Sequence, residues 1–376
     1  MEQAASEELA KLAWDLYLQQ DARAANFVYS PYSIAAALAM LSAGAAGATL
    51  SELKSALRFN DSGELLHARQ NALAQLLASR NRAAAAQRGA QVLRVSNDLW
   101  MLPSLQPTSG FLDVIARYYG ASVHLAPFER EPEASRAAIN AKVSRDTNAL
   151  IPELLPKGSI DSSARFVLTN ALYFKAPWAT PFRKVATMPR VFTALDGARL
   201  RVPMMSQQAT LRYAAGEGFV AVALPYAQEQ LQMVFLLPEL GTFPAFVRRL
   251  DAQVVESIVA TLAPTYVAIS LPRFEVTAAL PLKDELMESG MRAAFDPAAA
   301  EFPGIAKGIF ITGAFHQARL IVDEDGTEAA AATALIGSTS SAPPEPVSVS
   351  LDRPFVFFVQ DASGAVLFLG HLVRPQ

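Results

Sequence analysis

Residues 326–335 read GTEAAAATAL, and residues 336–350 continue as IGSTSSAPPEPVSVS. Alanine has the highest intrinsic helix propensity, so a short helix followed by a proline-rich linker is the simplest interpretation. The segment contains few large side chains, however, and a helix built from it has little with which to anchor itself in a core. A long segment without regular structure inside a compact chain is usually functional or disordered.

The same segment is also able to form a β-strand. Its alternate positions carry no charge, and these are Thr327, Ala329, Ala331, Thr333, Leu335, Gly337 and Thr339. The intervening positions carry one charge, Glu328, at the beginning. Because successive side chains of a strand point to opposite faces, the segment can enter a sheet without burying a charge. We therefore interpret it as a loop that is able to become a strand.

The rest of the chain has the order of an α+β fold. Helical periodicity dominates the first part and strand patterns the second, without the regular alternation of a parallel βαβ fold. Strands are predicted at residues 91–101, 165–175, 219–225, 231–237, 267–271, 354–360 and 366–373. Helices are predicted near residues 9–17, 31–41, 134–148, 242–260 and 281–289, another is predicted to begin at Thr49 as N-cap, and residues 80–87 are predicted as a loop or helix end. No internal repeat or dividing linker is found, so we expect one domain spanning residues 1–376.

Composition argues against several classes of partner. The net charge is −3 and the Lys and Arg residues are dispersed along the chain, without the basic stripe that nucleic-acid binding requires. The chain has no cysteine, which rules out disulfides, thiolate catalysis and Cys-ligated zinc. The beginning of the chain lacks the pattern of a secretory signal peptide, and the apolar stretch 34–48 is too short for a membrane span. We expect neither a nucleic-acid nor a membrane partner.

Catalytic motifs are also missing from the sequence. The four histidines, His67, His124, His316 and His371, do not have metal-ligand spacing, and the sequence contains no HExxH, GxSxG, P-loop or GxGxxG motif. His316 lies in a strand-like run, AFHQARLIVDEDG, where a single histidine is most often a hydrogen-bonded structural residue. We therefore expect no enzymatic activity, no metal and no cofactor.

Six segments together resemble the serpin family of serine protease inhibitors. In chain order they are NFVYSPYSIAAALAMLSAGAAGATLSEL (26–53), FVLTNALYFKAPWATPF (166–182), VALPYAQEQLQMVFLLP (222–238), ISLPRFEV (269–276), DEDGTEAAAATA (323–334) and RPFVFFVQDASGAVLFLGHLVRP (353–375). They cover nearly the whole chain in the family's order. The richness in alanine and the absence of cysteine favour a prokaryotic source.

The resemblance implies a fold and a mechanism. The fold would be three β-sheets with eight or nine helices and an exposed reactive-centre loop at about residues 324–350. The mechanism would be suicide inhibition, in which a target serine protease cleaves the loop and becomes trapped as a covalent acyl-enzyme while the loop inserts into the large sheet. The metastable protein would be a monomer that can form loop–sheet polymers. The family favours a secreted, extracellular or periplasmic location.

Roles in the loop follow from the same resemblance. Glu324 matches the start of the hinge, whose further members are Gly326, Thr327, Glu328, Ala329, Ala330, Ala331 and Ala332. Counting the family's usual seventeen residues from Glu324 places the reactive bond at Ser340–Ser341, and a hinge one residue shorter places it at Thr339–Ser340. Either bond has a small, neutral primary specificity residue. This predicts an elastase-like or subtilisin-like target.

Two further groups match family positions beneath the loop. Trp178 and Arg273 match the breach, where the loop first enters the sheet, and we expect Arg273 to contact Glu324. The shutter, a polar cluster under the centre of the sheet, is matched by Ser30, Ser33, Asn170 and His316. The sequence departs from the family pattern in the helix that covers the sheet. There Lys142 replaces the usual tryptophan, and Ala149–Leu150 replaces a Gly–Lys pair.

The alternative function is that of a non-inhibitory relative acting as a carrier or chaperone. Members of that class often have bulky, charged or proline residues in the hinge. Thr327 and the four alanines 329–332 argue against this alternative.

Overall fold

The computed structural model describes residues 1–19, 25–85, 89–121, 123–280, 282–327 and 345–375. Nine α-helices lie within these residues. They are α1 (Glu2–Gln19), α2 (Pro31–Ser42), α3 (Gly47–Ala56), α4 (Gly63–Ala78), α5 (Ser109–Val114), α6 (Pro132–Asp146), α7 (Phe243–Val247), α8 (Ala252–Thr261) and α9 (Leu282–Glu288). A π-helical turn, Ile115–Tyr119, continues α5, and short 3-10 turns occur at Lys184–Ala186 and Ala293–Phe295.

Sixteen strands lie in the same part of the chain. The first eight are β1 (Phe27–Tyr29), β2 (Arg82–Ala85), β3 (Gly89–Met101), β4 (Val123–Leu125), β5 (Phe166–Pro177), β6 (Met188–Thr193), β7 (Arg199–Gly216) and β8 (Phe219–Pro225). The others are β9 (Leu231–Pro238), β10 (Ala263–Pro272), β11 (Phe274–Leu280), β12 (Gly313–Val322), β13 (Gly326–Thr327), β14 (Val347–Ser350), β15 (Phe355–Asp361) and β16 (Val366–Leu372). Helices are concentrated before residue 150 and strands after it, so the expected α+β order is confirmed.

The strands form a seven-stranded and a nine-stranded hydrogen-bonded sheet. The larger sheet has the order β1-β16-β15-β9-β8-β7-β10-β14, with β6 paired to β7. Strand β7 pairs with β6 over its first six residues and with β8 over its last five. The long strand therefore joins two sets of strands, which the resemblance counts as separate sheets, into one network.

The seven-stranded sheet has the order β11-β12-β13-β5-β3-β2, with β4 on β3. Strand β5 is antiparallel to β3 along ten residue pairs. On its other side β5 is parallel to β12 over five pairs, from Gly313↔Val167 to Gln317↔Ala171. Beyond those five pairs the two strands diverge, and the short strand β13 lies between them.

Helix α6 covers one face of this sheet, and α2 lies on the other side of β3 and β5. The α6 side chains Ile139 and Val143 share a buried core with Trp100, Val167 and Ala171 of the sheet. Helix α2 contacts both β3 and β5. Its N-cap is Ser30, whose side chain accepts a hydrogen bond from the Ser33 N–H, and Pro31 occupies the first helical position. The N-terminus of α2 thus presents polar groups to the sheet.

Three local predictions are wrong. Helix α3 begins at Gly47 after Ala46, and the Thr49 hydroxyl instead accepts from the Glu301 N–H at 2.9 Å. The helix predicted over 242–260 is two helices, because Asp251 caps the N-terminus of α8 by accepting from the Val254 N–H at 2.8 Å. The segment predicted as a loop contains β2, which pairs with β3.

No helix in the part of the chain that the structure describes has both the length and the apolar character needed to cross a membrane.

Candidate functional site

Arg273 forms an ion pair with Glu324, the first residue of the predicted loop. Arg273 Nε lies 2.7 Å from Glu324 Oε2, and Nη2 lies 2.6 Å from Oε1. The Thr187 hydroxyl donates a further hydrogen bond to Oε1. Burial would raise the pKa of Glu324, but the hydrogen bonds from Arg273 and Thr187 lower it below its usual value. The contact expected between Arg273 and Glu324 is therefore present.

Trp178 contacts the same turn from the side of β5. Its Nε1 donates to the Asp323 carbonyl at 2.9 Å, and its backbone N–H donates to the Asp325 carbonyl at 3.0 Å. Its ring stacks on Tyr226, with the centroids 4.7 Å apart. The side chain is buried, so Trp178 is both a core residue and a support for the loop base.

Gly326 and Thr327 already lie inside the seven-stranded sheet. Thr327 is the register partner of Val322 in β12 and of Ala176 in β5. Its side chain is buried, and its hydroxyl shares a hydrogen bond of 2.8 Å with the Tyr226 hydroxyl. We expected Thr327 to be the first hinge residue to enter the sheet after cleavage, whereas here it already belongs to strand β13 of the intact chain.

Glycine is required at the first position of β13. The φ angle of Gly326 is +152°, in the region that L side chains rarely adopt. A Cβ atom at this position would lie 2.2 Å from the Ala176 carbonyl oxygen. The close approach of the two backbones is therefore possible because residue 326 has no side chain.

The four predicted shutter residues are brought together beneath the sheet. His316 Nε2 accepts from the Ser30 N–H at 3.0 Å, and His316 Nδ1 donates to Asn170 Oδ1. The Asn170 amide in turn donates to the Ser33 carbonyl and to Asn97 Oδ1. His316 must be neutral in this arrangement, since a proton on Nε2 would face the Ser30 donor. Burial lowers the pKa of His316 to about 3.

This cluster spans three neighbouring strands at one level. His316 of β12 and Asn170 of β5 are register partners, and so are Asn170 and Asn97 of β3. The His316–Asn170 hydrogen bond thus crosses the short parallel pairing between β5 and β12. Separation of those two strands has to break it.

A second polar network joins α6 to the same sheet. Lys142 Nζ lies 3.0 Å from Asp98 Oδ2 and 2.5 Å from Asp146 Oδ2. The Ser96 hydroxyl lies 2.9 Å from Asp98 Oδ2 and 2.6 Å from Asp146 Oδ2, and His124 Nε2 lies 2.8 Å from Asp98 Oδ1. Burial would lower the pKa of Lys142, but the bonds to Asp146 and Asp98 raise it. Lys142, noted as a departure in the sequence, therefore pairs α6 with β3.

The sequence reasoning missed six residues of these clusters, namely Asn97, Thr187 and Tyr226, and Ser96, Asp98 and Asp146 of the Lys142 network. Tyr226 follows Leu224–Pro225 in one of the quoted segments, and Asn97 lies in a polar stretch of β3 between Ser96 and Asp98, but neither pattern names a partner. The predicted hinge residues Glu328, Ala329, Ala330, Ala331 and Ala332, and the reactive-bond residues Thr339, Ser340 and Ser341, lie outside the described residues.

The sequence model of the family described as Serpin (serine protease inhibitor) matches residues 7–375. The chain belongs to the serpin family. Leukocyte elastase inhibitor of Homo sapiens is 33% identical to this serpin over 390 residues, covering 100% of both chains. The crystal structure of the thermophilic serpin Tengpin in its native state has a TM-score of 0.88 at 27% identity, covering 100% of this serpin and 95% of that chain. The serpin fold expected from the resemblance is thus confirmed.

A third similar protein has a different description. The structure of thyroxine-binding globulin in complex with thyroxine has a TM-score of 0.84 at 25% identity, and 99% of each chain is covered. The relatives of this serpin therefore include both a protein named as an elastase inhibitor and a protein named as a thyroxine-binding globulin. Within its described residues, this serpin has no group of three or more His, Asp or Glu side chains that could hold a metal ion.

Proposed function

We propose that this serpin is a suicide inhibitor of serine proteases rather than an enzyme, and that residues 1–376 act as one domain. The observation that carries the proposal is strand β13. The intact chain already has Thr327 paired between β12 and β5, so a continuation of this register would carry the residues that follow into the sheet.

The register of β13 indicates how insertion would proceed. Thr327 lies opposite Ala176 and Val322, and β13 is antiparallel to both neighbouring strands. Continuing this register places residues 328–331 between 172–175 of β5 and 318–321 of β12. Those stretches are not paired with each other, because the parallel pairing ends at Ala171 and Gln317. Four residues can therefore enter without breaking an existing strand pair.

Further insertion must open the sheet. In the same register Ala332 would lie opposite Ala171 and Gln317, and Thr333 would lie opposite Asn170 and His316. At that level the His316–Asn170 hydrogen bond has to be exchanged for bonds to the incoming strand. Thr333 has the same parity as the buried Thr327, so a small side chain would reach the shutter.

The energetics favour insertion once the loop is cut. A dozen inserted residues move the cleaved end by about 40 Å at roughly 3.3 Å per residue. Each new ladder hydrogen bond contributes on the order of 1 kcal/mol, and a dozen of them match or exceed the net stability of a typical domain. The uncleaved state would therefore be a kinetic trap, and an attached protease would be carried along and distorted before it could release itself.

The loop sequence supports a target with a small or shallow specificity pocket. Residues 326–349 contain no Lys or Arg, which argues against trypsin-like proteases. Cleavage at Ser340–Ser341, or at Thr339–Ser340, would suit an elastase-like or subtilisin-like protease. The partner is that protease in a covalent complex with a monomeric serpin.

A denaturing gel tests the proposal. Incubation with subtilisin or elastase is expected to give an SDS-stable complex, and mass spectrometry should find a C-terminal fragment beginning at Ser341 or Ser340. Thr327→Arg places a large charge at a buried position and should convert the inhibitor into a substrate that is cut and released. Glu328→Arg, on the other face of the strand, is the matched control and should still form the complex. Clean cleavage of the unaltered serpin, without any complex, would rule out inhibition.

The alternative is a non-inhibitory carrier, for which the likeness to thyroxine-binding globulin is the support. Such a function needs a ligand cavity. One cavity of about 270 Å³ lies between the β6–β7 turn, the segment after β9 and Arg353. This volume lies below the range of about 300–1,000 Å³ that is typical of small-molecule sites. The paired hinge at Thr327 favours inhibition over this alternative.

A further inference from the structure

Positive charge is concentrated in one part of this weakly acidic chain. Residues 181–216 contain six Lys or Arg and one Asp, although the whole chain has a net charge of −3. The segment forms a 3-10 turn and strands β6 and β7, which are joined as a hairpin. Five of these six cations, all except Arg212, therefore lie on or next to the turn and the β6–β7 hairpin, at one corner of the nine-stranded sheet.

The register of the hairpin decides which residues face outward. Directly opposite residues of an antiparallel pair share a face, and the partners Val191↔Arg201 and Thr193↔Arg199 therefore project from the same side. Both arginines are exposed. The other side of the hairpin carries the buried Phe192, Val202 and Met204. The outer face is thus basic, while the opposite face is buried at Phe192, Val202 and Met204 and exposed at Met188 and Arg190.

These arginines are not neutralised by neighbouring carboxylates. The one acidic residue of the segment, Asp196, forms an ion pair of 2.5 Å with Arg374. In the part of the chain that the structure describes, no carboxylate lies within ion-pair distance of Arg183, Arg199 or Arg201. An exposed cation without a partner is free to bind an external anion.

Apolar side chains are exposed on the same segment. Val185, Met188 and Val191 have 77%, 56% and 39% of their surface exposed. Ten large apolar residues are exposed in the described part of the chain, and three of them fall within these seven positions. Exposed apolar groups beside cations are typical of a protein-binding surface rather than of an ordinary solvated face.

This corner lies beside both described ends of the loop. On the side that precedes the loop, Lys184 pairs with Asp325 at 2.8 Å and the Thr187 hydroxyl bonds to Glu324. On the side that follows it, β14 pairs with β10, and β10 pairs with β7. A protein seated on the loop would therefore be placed against the corner.

We propose that the basic corner, defined by Arg183, Val185, Val191, Arg199 and Arg201, is a second docking surface for the protease that engages the loop. It would accept an acidic, partly apolar face of that protease. The inference rests on the proposed inhibitory function. Complementary charge acts mainly on the rate of encounter, so the corner would raise the association rate and leave the trapping step unchanged.

The test compares subtilisin with the same enzyme succinylated on its surface lysines, which makes it more acidic. The variant is Arg199→Glu/Arg201→Glu, and the matched control is Arg248→Glu/Arg249→Glu, which changes the charge equally at two exposed arginines between α7 and α8. With succinylated subtilisin at low salt, we expect the association rate constant of the variant to fall by about tenfold or more. The difference should shrink as salt is added, and the control should resemble the unaltered serpin.

The outcomes are distinguishable. Equal rates for the variant and the control, with the SDS-stable complex still formed, would overturn the docking surface and leave inhibition intact. If the association rate constant depends on Arg199 and Arg201 only after heparin is added, the corner binds a polyanion. This result would overturn the proposal as well. Absence of the complex with unaltered serpin and untreated subtilisin would overturn both the inhibitory function and this inference.

Discussion

Arg273 donates hydrogen bonds through Nε and Nη2 to both carboxylate oxygens of Glu324, at 2.7 and 2.6 Å. Arg273 is also the single residue between β10 of the nine-stranded sheet and β11 of the seven-stranded sheet. One side chain therefore fastens Glu324 to the point where the two sheets meet. The carboxylate is 2% exposed and the arginine 46% exposed, which places the pair between a surface and a buried ion pair.

Replacing Arg273 with Met should weaken the uncleaved state. The Glu324 carboxylate would stay buried with the Thr187 hydroxyl as its remaining side-chain donor. We expect a loss of about 2 kcal/mol in the free energy of unfolding, between the values for exposed and for buried pairs. Denaturant unfolding measures it. Arg319→Met is the control, since its partner Glu275 is about half exposed, and an equal loss in both variants would contradict a special role for Arg273.

Replacing Gly326 with Ala should expel strand β13. The new Cβ atom would collide with the Ala176 carbonyl oxygen, so residues 326 and 327 could not keep their pairing with β5. We expect a lower yield of protease complex and more cleaved, released serpin on a denaturing gel. Gly364→Ala is the control, because its φ is also positive, at +90°, but nothing lies within 4 Å of the added Cβ atom. Unchanged complex yield in Gly326→Ala would show that β13 does not start insertion.

The buried His316 predicts a pH dependence of stability. Its pKa is about 3 in the folded protein and about 6.5 when unperturbed. Between these pH values the unfolded chain binds a proton that the folded chain does not. The contribution of the neutral His316 to stability is therefore fully present above about pH 6.5. As the pH is lowered below this value, the free energy of unfolding falls by up to about 1.4 kcal/mol per pH unit.

His316→Gln isolates this contribution. Glutamine offers an oxygen and an amide to Ser30 and Asn170 but does not titrate. The slope of the unfolding free energy against pH, measured between pH 6.5 and 4.5, should become shallower by close to one proton. The same slope in both proteins would mean that His316 is not the group that titrates on unfolding.

Lys142 should hold α6 against the sheet. Lys142→Met leaves Asp98, which is 5% exposed, without its ammonium partner and beside a second carboxylate, Asp146. We expect a loss of about 1–3 kcal/mol in unfolding free energy, since hydrogen bonds to charged groups are involved. The double variant Lys142→Met/Asp98→Asn should recover part of the loss in a mutant cycle. Strictly additive effects would contradict the Lys142–Asp98 interaction.

Local sequence patterns predicted which helices and strands this serpin has better than they predicted where the helices begin and end. The strand at 91–101 and the closing hairpin follow from alternation and turn signals, and the corresponding β3, β15 and β16 are present. Thr49 and the helix over 242–260 were misjudged because a cap depends on which side chain reaches the free N–H groups. That choice is decided by packing with distant residues such as Glu301.

In the candidate site, too, some features could be predicted from the sequence and others could not. The resemblance placed Arg273 beside Glu324 and grouped Ser30, Ser33, Asn170 and His316, and these contacts are found. The position of Thr327 inside the sheet was not predictable, because it depends on the register between strands that are far apart in sequence. Likewise, the sequence does not show which of the arginines between residues 183 and 201 share a face, because this depends on the antiparallel pairing that brings residue 201 opposite residue 191.

The central claim is that the cut loop becomes a strand between β5 and β12. The thermal unfolding midpoint, measured before and after a single cleavage near Ser340, tests it most directly. About ten new ladder hydrogen bonds at on the order of 1 kcal/mol each should raise the midpoint by roughly 10–15 °C in a domain of this size. A midpoint that stays the same or falls after cleavage would contradict insertion, and with it the inhibitory mechanism.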